Sequence, residues 1–447
     1  VLPPFAPVHR TRPVRLVAEE RRTGFVAPYA AVEAALGTHD LAGRVVAGFR
    51  GPDGVRLEAW YDGGRRLAGL DVTDAGGRTT HHRSRRHGRP DTPPDGLAAT
   101  LTGRQLTVLT LTDGTWTPRA RVDLADRVPT TDPGFLAGLE ADTAWLPREP
   151  HEPTPLTAVR AGTFGQLGLR DLAFATHADG TPYERDGRLL VTATHAGPGF
   201  FDTGHTGVWS FDPGSYALEH CADLYVRRGG RVLGDHAAHL VRDGDRWLLA
   251  SSTWGDFDHT SMGITLATST ADLTRGEHVL DADPLDLPVD ALPTPCAGTW
   301  DPHLARIDGH WHLSFVAARK FFDFYPALAR AREPGRLDGW TLLGAAPDRR
   351  GTEGAVLVDL DGTWRVLASD GRENPRPLRR RFPVFDLAMT EVGTLEAPYP
   401  TNIPWPSLVR HDGGWLLLTF DGTPYGGGVA GYGTHGDVLV LRAEGLP

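Results

Sequence analysis

Three acids stand in stretches suited to chemistry: Asp179 in T-H-A-D-G-T-P-Y, Asp301 in T-W-D-P-H-L and Glu353 in G-T-E-G-A-V-L. Cleaving a glycosidic bond takes two carboxyl groups, one protonated to assist the leaving oxygen and one ionised to attack or to activate water. A third acid nearby keeps the first protonated through like-charge repulsion and orients it. Two acids and a modulator are therefore a complete set for that reaction, provided the fold gathers residues so far apart in sequence. Each one taken alone also reads as a solvated loop acid.

The element that would gather them is a repeated hairpin. In G-T-W-D-P-H-L-A-R-I-D-G-H-W-H-L-S-F, residues 298–315, an apolar run enters Asp308-Gly309, and Trp311, Leu313 and Phe315 alternate out of it. Asp-Gly between such runs is a strong hairpin signal, because both central residues of a type I′ turn take φ > 0. Pro302 makes Asp301 extended and places it at a strand start. The same unit recurs around Asp186-Gly187, Asp243-Gly244, Asp361-Gly362 and Asp412-Gly413, at intervals of roughly 50–65 residues. One hairpin cannot hide its own apolar face, so stacked copies must supply the core. Five copies, each with room for four short strands, predict a five-bladed β-propeller over 156–447.

Upstream the pattern is also β. Runs such as R-V-V-A-G-F-R and V-R-L-E-A-W-Y-D from Arg44 onward, and later strands with turns at Thr102-Gly103 and Asp113-Gly114, predict an N-terminal β-sandwich over 1–155. Ala30–Leu36 has a short helical look, and the Arg-, His- and Pro-rich segment at 76–96 reads as a mobile loop. The adjacent His81 and His82 do not read as a metal pair, because neighbouring strand residues point to opposite faces. The Pro-rich passage Trp145–Leu156 reads as the linker. Nothing in the first domain announces chemistry.

The chain has 447 residues and a formal charge of −10, and Lys320 is its only lysine. That balance argues against a nucleic-acid or anionic-membrane partner. Cys221 and Cys296 are too few and too far apart for a disulfide framework or a zinc site; free thiols are expected, a single bridge being the alternative. No run is apolar and long enough to span a bilayer. Pro and Arg interrupt every apolar stretch at the start, so the expectation is a cytoplasmic protein. The sequence does not address oligomeric state.

The D-P motif at Asp301, the E-G motif at Glu353 and the blade rhythm from about 165 to 447 resemble glycoside hydrolase family 43 and, more distantly, families 32, 62 and 117. The resemblance implies a five-bladed propeller in which Asp179 is the base, Asp301 the pKa modulator and Glu353 the acid. Two departures stand out: Gly180 and Ala355 occupy places where the family carries proline. Asp179 lies as far before Asp186-Gly187 as Asp301 does before Asp308-Gly309, which favours it over its nearest rival, Asp171 in L-R-D-L-A-F. His435 resembles a last-blade histidine that holds a water or calcium ion on the propeller axis, and it reads equally as a hydrogen-bonded structural residue; no cofactor is otherwise required. His236, at a second-blade position, and Trp254, Trp300 and Trp405, in loops beside the presumed channel, are candidates to contact a sugar, with Arg319 and Arg372 as hydroxyl or carboxylate binders. The resemblance implies furanoside or pentoside substrates, such as α-L-arabinofuranosides or β-xylosides, and inversion. The alternatives are a retaining fructoside hydrolase of the family 32 kind and a carbohydrate-binding propeller without catalysis.

Overall fold

The computed structural model describes residues 2–37, 41–257, 262–401, 403–425 and 436–444. It is an all-β chain: an N-terminal β-sandwich followed by a five-bladed β-propeller. The Asp-Gly turns behave as the sequence requires. Asp186, Asp308, Asp361 and Asp412, each with the glycine after it, take φ of 47–84°, the type I′ signature. In the hairpin turn of the second blade, Gly244 has positive φ but Asp243 does not, and Asp243 faces Arg246 across the loop, the type II′ pattern.

Each blade runs outward from an inner strand. The inner strands are Leu169–Phe174 in blade I, His236–Asp243 in II, Gly298–Ile307 in III, Thr352–Asp359 in IV and Ser407–His411 in V. Blades I and II also join at their outermost strands, Leu218–Arg228 lying parallel to Gly276–Pro284. The outermost strand of blade V is Ala6–Thr11, which pairs with Asp437–Ala443. The start of the chain thus closes the ring. Second strands are buried on both faces because each blade is stacked between two others: in His310–Lys320, His312, Ser314 and Val316 are as enclosed as Trp311, Leu313 and Phe315.

Three expectations are corrected here. The sandwich does not end at 155. Strand Leu156–Gln166 pairs with Tyr29–Leu36 and Arg15–Glu20 in a six-stranded sheet, facing a five-stranded one that includes Glu140–Leu146. The Pro-rich passage is the crossover between those two sheets; proline reports missing ladder bonds, not which sheet the next strand joins. Ala30–Leu36 is no helix but part of the central strand Tyr29–Leu36. Its alanines fit because the six-stranded sheet is covered on both sides: Ala30 and Val32 face the sandwich core, Ala31 faces the propeller. Within 76–96 lies an edge strand, Thr79–His82, paired with Leu67–Thr73, so its polar sequence reflects an edge rather than a lack of structure. His81 there bonds Asp71 at 2.8 Å, and His82 bonds Thr80 at 2.9 Å. Both cysteines are free thiols.

Removing residues 1–12 should open the ring at blade V. The truncation strips Arg10 and Arg12 from Asp437 and exposes the apolar edge of Asp437–Ala443. A loss of a few kcal/mol corresponds to a melting temperature lower by about 10 °C, and calorimetry on the truncated chain checks this. An unchanged transition would mean the closing strand is dispensable.

Candidate functional site

Four inner strands begin with the same distortion. The register slips between Arg170 and Ala173, His236 and His239, Trp300 and His303, and Glu353 and Val356. In each, the second residue of the bulge takes a left-handed conformation: Asp171 (φ 52°), Ala237 (53°), Asp301 (56°) and Gly354 (67°). A bulge bends the strand and re-aims a side chain. Here all four sit at the end where the strands converge, so the side chains at the first two bulge positions line one recess. At Gly354 the need for glycine is explicit, since a Cβ would lie 2.6 Å from the Trp405 ring.

The recess is narrow, a cavity of about 50 Å³, smaller than the roughly 300–1,000 Å³ typical of small-molecule sites. Asp171, Asp301 and Glu353 lie at its floor, with Arg170 and His236 beside them. The walls are aromatic. Trp254 packs 4.8 Å from Phe201 and 5.5 Å from Trp300, and Trp300 packs 5.3 Å from Phe324. The buried indole N–H of Trp405 has no acceptor among the described residues and is available to a bound hydroxyl.

Of the predicted acids, Asp301 and Glu353 meet in this recess and Asp179 does not. Asp179 lies beyond the far end of the blade I inner strand, where its carboxylate accepts the Thr181 amide at 3.0 Å and the Thr181 hydroxyl at 2.7 Å. Asp171 occupies the position expected for it. Counting back from the Asp-Gly turn misled because blade I carries an extra turn between inner strand and hairpin, closed by His177 N–H to Thr181 O at 2.7 Å. The six residues from Asp171 to His177 span about 20 Å when extended. Alignment of R-D-L-A with W-D-P-H would have found Asp171.

Of the other candidates, His236, Trp254, Trp300 and Trp405 line the recess. Arg319 does not: it bonds Asp323 at 3.0 Å and lies over the Tyr325 ring. Arg372 is also outside it, paired with Glu373 at 2.8 Å on the surface. His435 lies outside the described residues. Arg170, Phe201 and Phe324 were not read from the sequence; nothing in their local pattern separates them from blade-packing residues.

Electrostatics divides the three acids. Burial pushes all of them above the ordinary carboxylate range. For Asp171 the rise is opposed by Arg170, whose Nε is 3.4 Å away, and by a hydrogen bond from Thr194. Asp301 is raised well above its ordinary value by burial and then by Glu353 and Asp171, against one bond from the Gly354 N–H at 3.2 Å. Glu353 is also raised well above its own, by burial and then by Asp171 and Glu373, with Trp300 and Arg170 opposing. Asp171 is thus the group placed to carry the charge, and Asp301 and Glu353 hold protons. His236 donates from Nδ1 to Gly234 O at 2.9 Å, which leaves Nε2 as an acceptor, and burial keeps the ring neutral.

One other cluster has the composition of a metal site: His195, His205 and Asp223, buried in the outer strands of blade I. Its hydrogen bonds suit a carboxylate better than a cation. Trp209 donates to His195 Nε2 at 2.9 Å, so the proton of neutral His195 is on Nδ1, aimed into the cluster. His205 and His220 approach Asp223 Oδ1 at 3.0 and 3.1 Å, and His205 Nδ1 has no partner that could serve as the second support a metal-bound imidazole usually has. Although burial opposes it, the charge and hydrogen bonds of His220 and His205 hold Asp223 well below the usual carboxylate range, while His195 Nδ1 meets His205 Nε2 at 3.0 Å.

No family model and no curated protein matches the chain. Solved structures do resemble it. A GH43_1 enzyme from Xanthomonas citri complexed with xylose is 16% identical over 60% of this chain and 87% of its own, with a TM-score of 0.42. A GH32 β-fructofuranosidase from Bombyx mori is 17% identical over 62% and 60%, with a TM-score of 0.43. A B. subtilis levansucrase mutant is 12% identical over 62% and 84%, with a TM-score of 0.43. At such distances the functional reading has to stand on the recess itself.

Acids with raised pKa values make stability depend on pH. Below about pH 4 these carboxyls are protonated in both folded and unfolded chains. As pH rises, the unfolded chain ionises first and is lowered in free energy relative to the folded chain, so stability falls until the folded pKa is passed. Glu353→Gln and Asp301→Asn should therefore melt at higher temperature than the parent at pH 8 and at the same temperature near pH 4. Thermal melts across that range check it; a gain independent of pH would contradict the assignment of buried, proton-holding acids.

Proposed function

We propose that the protein is a glycoside hydrolase whose active site is this recess, with Glu353 as general acid, Asp171 as base and Asp301 as the group that orients Glu353 and keeps it protonated. The observation that carries the reading is the juxtaposition of three carboxyls, Asp301 buried and Asp171 and Glu353 partly buried, with Arg170 beside Asp171, in a recess walled by aromatic rings. Hydrolysis of an acetal needs a proton delivered to the leaving oxygen and an ionised carboxylate on the other side of the sugar. Acids whose surroundings push their pKa values apart supply both at one pH. Aromatic faces suit the C–H faces of a sugar, and the Trp405 N–H and His236 Nε2 supply a donor and an acceptor for its hydroxyls.

So narrow a recess favours a single terminal furanose or pentose unit over the interior of a long chain, in keeping with the arabinofuranoside or xyloside substrates implied by the D-P and E-G motifs. Asp171 and Glu353 enter from blades I and IV, and water activated by Asp171 would invert the anomeric centre. The retaining alternative gives Asp171 the nucleophile's part.

Three variants test the roles. Asp171→Asn should lower kcat at least about 10³-fold on every substrate. Glu353→Gln should cost about 10²–10⁴-fold on alkyl glycosides and far less on nitrophenyl glycosides, whose leaving group needs no proton. Asp179→Asn should be fully active; its inactivation, with Asp171→Asn retaining activity, would overturn the assignment. Proton NMR of the first-formed anomer decides inversion, since a product with the substrate's own configuration identifies the retaining route.

A further inference from the structure

The sandwich reaches the recess. Segment 197–205 follows the second strand of blade I and carries Phe201, one of the recess walls, on a single 3-10 turn, Phe201–Thr203. Its anchors come from the other domain. Gln105 Nε2 donates to Asp202 Oδ2 at 3.1 Å, and both side chains are buried. The same amide nitrogen donates to Asp123 Oδ2 at 3.0 Å, within the sandwich. Thr107 Oγ1 donates to Pro198 O at 3.3 Å, and Tyr29 Oη donates to Gly204 O at 2.8 Å. Contact is close enough that a Cβ on Gly103 would lie 2.7 Å from Asp202 O, and one on Gly234 2.0 Å from Tyr29 Oη. Gly234 is also the carbonyl that fixes the His236 ring.

We infer that the sandwich is part of the sugar-binding apparatus. Gln105 and Tyr29 are positioning residues: they hold segment 197–205 so that Phe201 stands against Trp254, at 4.8 Å, and so that His236 presents Nε2 to the recess. The segment has little internal support, its own backbone closing through short-range bonds from Gly199 N–H to Gly197 O, Thr203 N–H to Phe200 O and Gly204 N–H to Phe201 O. A buried polar anchor removed from one partner leaves the other unsatisfied, so losing Gln105 loosens the turn rather than merely weakening a surface contact. This rests on the glycosidase reading for its kinetic consequence, but not for its structural one.

The test uses the full chain with Gln105→Leu, Phe201→Ala and the double variant, in two arms. In hydrogen exchange, Gln105→Leu should speed exchange of amides in segment 197–205 about tenfold while the inner strands of blades III and IV stay protected. In kinetics on a nitrophenyl glycoside turned over by the parent, Gln105→Leu and Phe201→Ala should each raise KM about tenfold with kcat little changed. The double variant should then be no worse than Phe201→Ala, because Gln105 acts through Phe201. A purely structural role lowers the melting temperature without that non-additivity, so additive effects on KM overturn the inference, as do unchanged exchange rates in segment 197–205. If Gln105→Leu does not fold, Tyr29→Phe carries both arms. A parent inactive on every glycoside would refute the glycosidase reading alone, with the exchange arm still deciding whether the sandwich holds the wall.

Discussion

Three carboxyl groups share one small recess, Asp301 buried and Asp171 and Glu353 partly so, and much of the architecture is what makes that arrangement tolerable. An ionised carboxylate buried alone costs several kcal/mol even after relaxation. The cost is met differently at each acid. Asp171 keeps its charge because Arg170, the residue before it on the same bulge, is buried at its side. Asp301 and Glu353 avoid the cost by holding protons, and the charge on Asp171 helps to keep those protons in place. A fold selected only for stability would replace such a cluster with apolar side chains, so its presence in an aromatic recess is itself an argument for function.

The bulges that aim these side chains are held by a shared device. A hydroxyl on the second strand of one blade donates to a bulge carbonyl of the next, Thr192 to Ala238 O and Ser314 to Ala355 O, each at 2.7 Å, and Ser369 likewise donates to Pro404 O just before the inner strand of blade V. Between blades II and III the Ser252 hydroxyl donates to Ala237 O at 3.2 Å and accepts the Asp301 N–H at 2.9 Å. Each bulge exposes backbone groups that the ladder no longer satisfies, and buried groups of that kind need partners. Blade-to-blade hydroxyls supply them, and the strained φ of Asp301 is thus braced by blade II as well as by its own strand.

Rigidity of the floor contrasts with the composition of the rim. The floor belongs to inner strands buried on both sides, whereas much of the wall comes from connecting turns: Phe201 and Trp254 on 3-10 turns, and Phe321 and Phe322 where blade III turns between its second and third strands, with Trp300 and Phe324 on strands completing it. Catalytic geometry is thereby separated from substrate selection, the latter resting on turns that need outside support. For Trp254 the support is electrostatic, since Arg228 binds Asp235 and Asp256 and Asp235 accepts the Gly255 N–H at 3.0 Å. For Phe201 it is the sandwich.

Local chemistry determined a good part of this protein. Asp-Gly turns between alternating apolar runs are read from neighbouring residues, because φ > 0 is a property of the turn itself, and their repetition dictated a ring of stacked sheets. Asp301 and Glu353 were legible because Pro302 and Gly354 mark where an inner strand begins, although at the bulge Asp301 is left-handed (φ 56°) and not extended as the following proline implied. Tertiary structure alone decided the rest. Whether Asp171 or Asp179 belonged to the recess depended on an extra turn in blade I, which shifts a residue by strand lengths without altering the pattern around it. That Tyr29–Leu36 is a strand depended on two covering layers that exclude larger side chains, against the helical preference of alanine. And that Ala6–Thr11 completes blade V, and Gln105 braces a wall of the recess, are contacts across 411 and 97 residues of chain; no local pattern records them, because the partners meet only once both domains have closed.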